Sequence, residues 1–133
     1  MNQKILYRVI YGDTDQMGVM YHANYFRLFE IGRNEYFRLR GVLYRDLEKK
    51  GIFLPVKEAW CDYISGARYD DVLEIICDIQ KSTRSSLLFS YRILRGDELL
   101  AKGTTRHAFV DKAGRVIRLS HEEHSVLTEE GLP

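Results

Sequence analysis

One long amphipathic helix, placed early in the chain and not repeated, constrains the fold more than any other feature. Tyr25, Leu28, Phe29, Gly32, Tyr36 and Leu39 recur at steps of three and four residues, which puts them on one stripe of a 3.6-residue helix. Asn24 has the side chain of an N-cap, Arg38 and Arg40 suit the electronegative C-terminal end, and Gly41 suits the C′ position. A helix over 24–40 runs roughly 25 Å. Gly32 lies on the apolar stripe, where it costs helix stability unless it allows close approach to a sheet.

The remaining pattern is mainly strand. Leu6 to Tyr11 reads as a first strand, and a Gly- and Asp-bearing loop runs from Gly12 to about His22. After the long helix comes a short one, about Leu43 to Lys50, ending at Gly51. Phe53 to Tyr63 is the next strand candidate. Leu73, Ile75, Cys77 and Ile79 alternate with mainly polar neighbours, as do Leu87, Phe89, Tyr91 and Ile93. Gly96-Asp97 turns into a strand from Leu99 to Val110, and Lys112-Ala113-Gly114 closes another turn. Ser120 followed by Glu123 is a capping-box pattern that starts a tail helix. One strand, one long helix and four more strands predict an α+β domain, an antiparallel sheet wrapped on a central helix. The other face of that sheet needs a covering, and self-association would supply it.

Length and composition bound the function. A chain of 133 residues is one domain, 1–133, able to bury about two thirds of its surface around one core. Hydrophobic residues at 45% and charged residues at 29% exclude disorder. Twenty Lys and Arg against 19 Asp and Glu leave a net charge of +1, with no basic excess for nucleic acid. Cys61 and Cys77 form neither CxxC nor a Cys/His array and read as reduced, apolar side chains. No signal-peptide core and no run of about 18 apolar residues is present, which predicts a soluble, cytoplasmic protein without membrane insertion.

The loop joining the first strand to the long helix holds the chemistry. Asp13, Asp15 and Gly18 fit positions 1, 3 and 6 of a calcium loop, but Met17 and Asn24 stand where it needs an oxygen donor and a bidentate Glu. No Lys-Ser/Thr follows Gly18, which excludes a P-loop. No third strong ligand is spaced to join Asp15 and His22 on zinc, and His121 and His124 read as solvent-facing. There is no GxSxG nucleophile elbow. Two readings are left: Asp13 and Asp15 cap the loop, or one is a reactive carboxylate beside a helix N-terminus. Free N–H groups there polarise a carbonyl as an oxyanion develops, and a nearby Asp can attack it or deprotonate water. Such a minimal apparatus suits a thioester, whose thiolate leaves without strong acid assistance.

Tyr11-x-Asp13-Thr14-Asp15-x-x-Gly18-Val19-x-Tyr21-His22-x-x-Tyr25, with Glu30 in the helix, resembles the signature of hotdog-fold acyl-CoA thioesterases. The likeness is to the 4-hydroxybenzoyl-CoA thioesterase family, in particular its YbgC-like (Tol-Pal-associated) branch. It extends through Tyr69-Asp70-Asp71-Val72-Leu73 and Arg84-Ser85-Ser86-Leu87. Gln16, Met17 and Gly12 depart from the branch and bear on the shape of the acyl pocket.

The resemblance implies a hotdog fold, with a five-stranded antiparallel sheet around one long helix, and hydrolysis of acyl-CoA to acid and CoA. It implies Asp15 as nucleophile or general base, His22 as auxiliary base or orienting group with its backbone N–H polarising the thioester, and Tyr11 as a hydrogen-bonding support. Asp13 would fix the loop, and Glu30 would pair with Arg33 or Asn34. Met17, Val19, Tyr21 and Tyr25 would line the acyl pocket, and Arg84, Ser85 and Ser86 would meet the phosphates of CoA. Family precedent implies dimers joined edge to edge and paired into tetramers, with sites at the subunit interface and no metal or redox cofactor. The fold also admits hydratase or dehydratase chemistry on acyl thioesters, and a non-catalytic acyl-binding or scaffold module.

Overall fold

The computed structural model describes residues 4–128. In chain order the elements are β1 (Ile5–Arg8), a 3₁₀ turn (Tyr11–Asp13), α1 (Asn24–Arg38), α2 (Tyr44–Lys49), β2 (Val56–Tyr63), β3 (Val72–Ser82), β4 (Ser86–Arg95), β5 (Glu98–Ala108) and α3 (His121–Thr128). The strands form one sheet in the order β1-β3-β4-β5-β2, every pair antiparallel. The hotdog arrangement expected from the sequence is the one observed.

The sheet's inner face is set by the alternation along each strand. Leu73 and Ile75 of β3 and Leu87, Phe89, Tyr91 and Ile93 of β4 are buried, and they meet Tyr25, Leu28, Phe29, Tyr36 and Phe37 of α1. Each such side chain contributes about 1.5–3 kcal/mol on burial. The Phe29 ring lies flat on Tyr91, centroids 4.2 Å apart. Two glycines make this possible. A Cβ on Gly32 would stand 3.0 Å from Ile75 Cγ2 and 3.2 Å from Cys77 Cβ, so α1 sits directly on β3, as its place on the stripe predicts. A Cβ on Gly103 would strike the Trp60 carbonyl oxygen and the Phe29 ring.

The ends of α1 differ in how well they follow the sequence. Gly41 has φ +75°, and the bonds Val42 N–H to Phe37 O and Gly41 N–H to Arg38 O close the helix around it. Leu39 lies past the helix and is exposed. Asn24 is not a cap: α1 begins with it, and its side chain donates instead to the Asp13 carbonyl at 2.9 Å. The tail helix starts as expected, the Ser120 N–H donating to Glu123 Oε1 (2.9 Å) and the Glu123 N–H to Ser120 Oγ (3.1 Å). The first strand is shorter than its apolar run, because Tyr11 has already entered the 3₁₀ turn. β2 starts at Val56, since Pro55 interrupts pairing and Phe53 keeps only a bridge to Val110. His121 is exposed, but His124 is half-buried and faces Ser82 Oγ at 3.1 Å.

The outer face of the sheet is wetter than expected. Arg92 pairs across to Lys102, Ser90 to Thr104, and Arg106 donates to Glu58 at 2.6 Å. Trp60, opposite Thr104, and Leu6, opposite Glu74, stand exposed on this same face, so apolar surface remains there as well as along the open edge. β2 is an edge strand whose Val56, Trp60 and Tyr63 are all exposed.

One polar chain crosses the apolar core. Arg33 Nη1 lies 3.4 Å from the Tyr91 hydroxyl, which is 2.5 Å from Thr105 Oγ1; that oxygen is 2.8 Å from His107 Nε2, and His107 Nδ1 is 3.1 Å from the Leu54 carbonyl. A carbonyl can only accept, so Nδ1 carries the proton and Nε2 accepts from Thr105. Tyr91 then donates to Thr105, and Arg33 to Tyr91. Cys61 and Cys77 are free thiols. Burial pushes Cys61 up to about 11 and raises Cys77 further, the behaviour of packing groups.

Candidate active site

The segment between β1 and α1 is a hairpin tied to the start of β3. Thr14 bridges Met20, the Asp15 N–H donates to Val19 O (2.9 Å), and the Tyr21 N–H donates to Asp13 O (2.8 Å). Gly18 turns the tip with φ +80°. The Met20 N–H donates to Ala67 O at 2.8 Å, docking this hairpin on the loop before β3. That loop is braced by Asp71, which accepts the Arg68 N–H (2.8 Å) and Arg95 Nη1 (2.7 Å). Burial raises the Asp71 pKa, but the Arg68 N–H and the Arg95 guanidinium outweigh it and hold the group below the usual carboxylate range.

The two acids of the loop have different jobs. Asp13 is 2% exposed. Its Oδ2 accepts the Tyr7 hydroxyl (2.7 Å) and the Ile10 N–H (3.0 Å), and Arg27 Nη1 lies 3.4 Å from Oδ1. These bonds make it the fastener of the hairpin, as expected. Asp15 is half-buried; its Oδ1 accepts the Met17 N–H at 2.8 Å, and among the described residues Oδ2 has no hydrogen-bond partner. One oxygen is thus held in a fixed rotamer while the other is open.

The start of α1 supplies donors. Asn24, Tyr25 and Phe26 give their N–H groups to the carbonyls of Tyr21, His22 and Ala23. This consumes the first donors of the helix and shifts the free ones one step back. Among the described residues the N–H groups of His22 and Ala23 donate to no protein acceptor, and they lie at the positive end of the helix dipole. The His22 side chain is exposed, its ring 4.5 Å from Tyr21 and 6.2 Å from Tyr63. No hydrogen bond or ion pair joins it to Asp15 within the described chain.

The other expected site residues are distributed unevenly. Tyr11 is 73% exposed and stacks on Tyr69 at 3.8 Å. Met17 is 83% exposed at the hairpin tip, and Tyr21 is exposed near the helix start. Val19 packs on Gly66, where an added Cβ would stand 2.8 Å from Val19 Cγ1. Tyr25 is buried, its hydroxyl accepting the Ala67 N–H at 3.3 Å. Glu30 is exposed and faces Arg33 at 3.8 Å, one of the two partners expected. Arg84, Ser85 and Ser86 form the β3–β4 turn, at the opposite end of β3 from the Asp15 hairpin, roughly 30 Å along the strand. Arg84 is also occupied, its Nε donating to Leu119 O at 2.7 Å. One chain therefore does not bring this turn to Asp15.

Tyr63 was not among the residues marked in the sequence. At the end of β2 it donates its hydroxyl to the His22 carbonyl at 2.9 Å and sets its ring edge-on to Tyr25, centroids 5.1 Å apart. The alternation of β2 could have placed it on the helix side, but a separation of 41 residues from His22 hid the contact. Among the described residues no group of three or more His, Cys, Asp or Glu is placed to hold a metal, and no helix is long and apolar enough to cross a membrane.

A five-stranded antiparallel sheet curled on one long helix defines a hotdog protein. Residues 9–127 match the model of the thioesterase-like superfamily, and the chain belongs to that family. It is 34% identical over 122 residues to a putative esterase of Aquifex aeolicus, covering 92% of this chain and 94% of that one. It is 36% identical over 105 residues to the acyl-CoA thioesterase YbgC of Haemophilus influenzae, covering 78% and 77%. Among solved structures, a DHNA-CoA thioesterase of Staphylococcus aureus superposes with a TM-score of 0.88 at 29% identity, covering 92% of this chain and 86% of that one.

Proposed function

We propose that this chain hydrolyses acyl-CoA thioesters to the free acid and CoA, with Asp15 as the reacting carboxylate and the start of α1 as the carbonyl-polarising element. The observation that carries the reading is an open carboxylate oxygen in the hairpin that leads directly into a helix start whose His22 and Ala23 N–H groups have no protein acceptor among the described residues. The names of the curated relatives support the substrate class. The thioester carbonyl oxygen would point at the His22 and Ala23 amides, which stabilise the negative charge formed as the carbon becomes tetrahedral. Asp15 Oδ2 either attacks that carbon, giving a mixed anhydride that water then cleaves, or takes a proton from the attacking water. CoA leaves as the thiolate and takes up a proton, and no further cofactor enters the reaction.

A second subunit completes this arrangement. Among the described residues no strand pairs with the outer edge of β2, and an open edge favours pairing with another strand. A copy added there would lie beside Tyr63 and the start of α1, turning the exposed Met17 and Tyr21 into walls of an enclosed acyl site alongside Val19 and Tyr25. The Arg84–Ser86 turn can serve the CoA phosphates only if another subunit presents it, which a further pairing into tetramers would allow.

The test is thiol release over a panel of acyl-CoAs. Asp15→Asn is expected to lower kcat by about 10²–10⁴-fold with KM little changed, and His22→Ala to do less because the backbone amide survives. Wild-type turnover by Asp15→Asn, with deamidation excluded by mass, would overturn the assignment. Binding of acyl-CoA without release by the unmodified chain would point to a carrier module. Hydroxylamine trapping of acylated Asp15 separates attack from general-base action.

A further inference from the structure

We infer that Tyr63 is a positioning residue of the reaction: its hydroxyl holds the His22–Ala23 peptide so that the amide face at the start of α1 points toward the thioester. This rests on the function proposed above and assigns a residue that lies outside the hairpin motif.

A peptide unit is planar, with its C=O and N–H directed oppositely, so a bond that fixes the His22 carbonyl also fixes the Ala23 N–H on the other side of the same plane. That carbonyl accepts from the Tyr63 hydroxyl at 2.9 Å and from the Tyr25 N–H at 3.3 Å. The Ala23 N–H has no protein acceptor among the described residues. Two donors on one carbonyl also polarise the peptide and strengthen its remaining N–H as a donor. The Tyr25 bond is long and belongs to the first, loosest turn of α1. The shorter bond comes from β2, a separate element locked by its register to β5, where Tyr63 faces Ala101.

The Tyr63 side chain is itself well held. Its ring stands edge-on to the buried Tyr25 at 5.1 Å, and Ile64 and Ser65, which follow it, both donate their N–H groups to Leu100 O. Burial pushes its hydroxyl up to about 12, so the group remains a donor through the working pH range. Without this bond the His22–Ala23 peptide would be anchored only by the helix turn, and its N–H could swing away from the reacting carbonyl. The interaction is made in the free protein, so its benefit falls on the step where charge develops on oxygen and not on substrate capture.

The experiment compares Tyr63→Phe, which keeps the ring and loses the hydroxyl, with wild type and Asp15→Asn. Tyr63→Phe is expected to lower kcat about three- to tenfold, the loss of one neutral hydrogen bond, with KM unchanged and the melting temperature lowered by no more than about a few degrees. A spectroscopic arm uses acyl-CoA labelled with ¹³C at the thioester carbonyl, bound to Asp15→Asn so that it stays intact. Its infrared carbonyl band is expected to shift back toward the free-ligand frequency in the Asp15→Asn/Tyr63→Phe double variant. An unchanged kcat and carbonyl band with Tyr63→Phe, while Asp15→Asn is impaired, would overturn the positioning role and leave the proposed function standing. A raised KM at constant kcat would overturn it as well, by making Tyr63 a binding contact. Failure of the wild-type chain to release thiol from any acyl-CoA would remove the function itself.

Discussion

Acidification should destabilise this protein through His107, and the size of the effect can be worked out in advance. His107 is fully buried, and burial, against the partial help of the Leu54 carbonyl, lowers its pKa from 6.5 to about 4. Because Nδ1 donates to Leu54 and Nε2 accepts from Thr105, a second proton has no acceptor to meet and must reverse the whole chain back to Arg33. The sign follows from linkage. Between pH 6.5 and 4 the unfolded chain binds a proton that the folded one refuses, so stability falls as pH falls. A gap of about 2.5 pKa units corresponds to about 3 kcal/mol in full, of which about 2 kcal/mol is lost between pH 7 and pH 5. Urea unfolding at half-unit pH steps measures this. The comparison is with His107→Asn, whose amide nitrogen can still donate to Leu54 and which leaves every other titratable side chain in place. That variant is expected to be less stable at pH 7 and to show a pH slope flatter by about 2 kcal/mol over the same interval. Equal slopes for the two proteins would refute the neutral, Nδ1-protonated histidine and the direction of the chain built on it.

Two other predictions concern the scaffold of the site. Gly32→Ala gains helix propensity of about 1 kcal/mol but drives a methyl against Ile75 and the backbone-fixed Cβ of Cys77, at about 1–3 kcal/mol for an overpacked core. A lowered midpoint in urea is expected, and a raised one would show that α1 can lift from β3 freely. Asp13→Ala leaves the Tyr7 hydroxyl and the Ile10 N–H without their acceptor, at about 2–4 kcal/mol. It should lower both the melting temperature and thiol release, whereas unchanged stability would mean that the hairpin is held by its backbone bonds alone.

Much of the architecture follows from local periodicity. The stripe from Tyr25 to Tyr36, the alternation of β3 and β4, and Gly32 are all read from spacing, because burial on one face repeats with the geometry of the element that carries it. The closing turn at Gly41 and the capping box at Ser120 are equally legible, since each is settled within a few residues. The same holds for the division of labour between Asp13 and Asp15 only in outline. Their spacing marks a loop rich in carboxylates, but which one is buried depends on where Tyr7 and Arg27 arrive.

The features that escaped the sequence are those made between distant segments. Asn24 has the composition of a cap, yet the Asp13 carbonyl claimed its side chain, and the helix start moved accordingly. Arg84 stands in a motif resembling a phosphate-binding stretch, yet β3 carries it to the far end of the sheet and the Leu119 carbonyl occupies its Nε. The hydroxyl of Tyr63 reaches His22 only because the strand order puts β2 beside β5 at the edge and curls it over the first turn of α1. Hydrophobic pattern specifies which face of an element is buried. It does not specify which polar groups meet at the ends of those elements, because such contacts depend on lengths, curvature and pairing order accumulated over the whole chain.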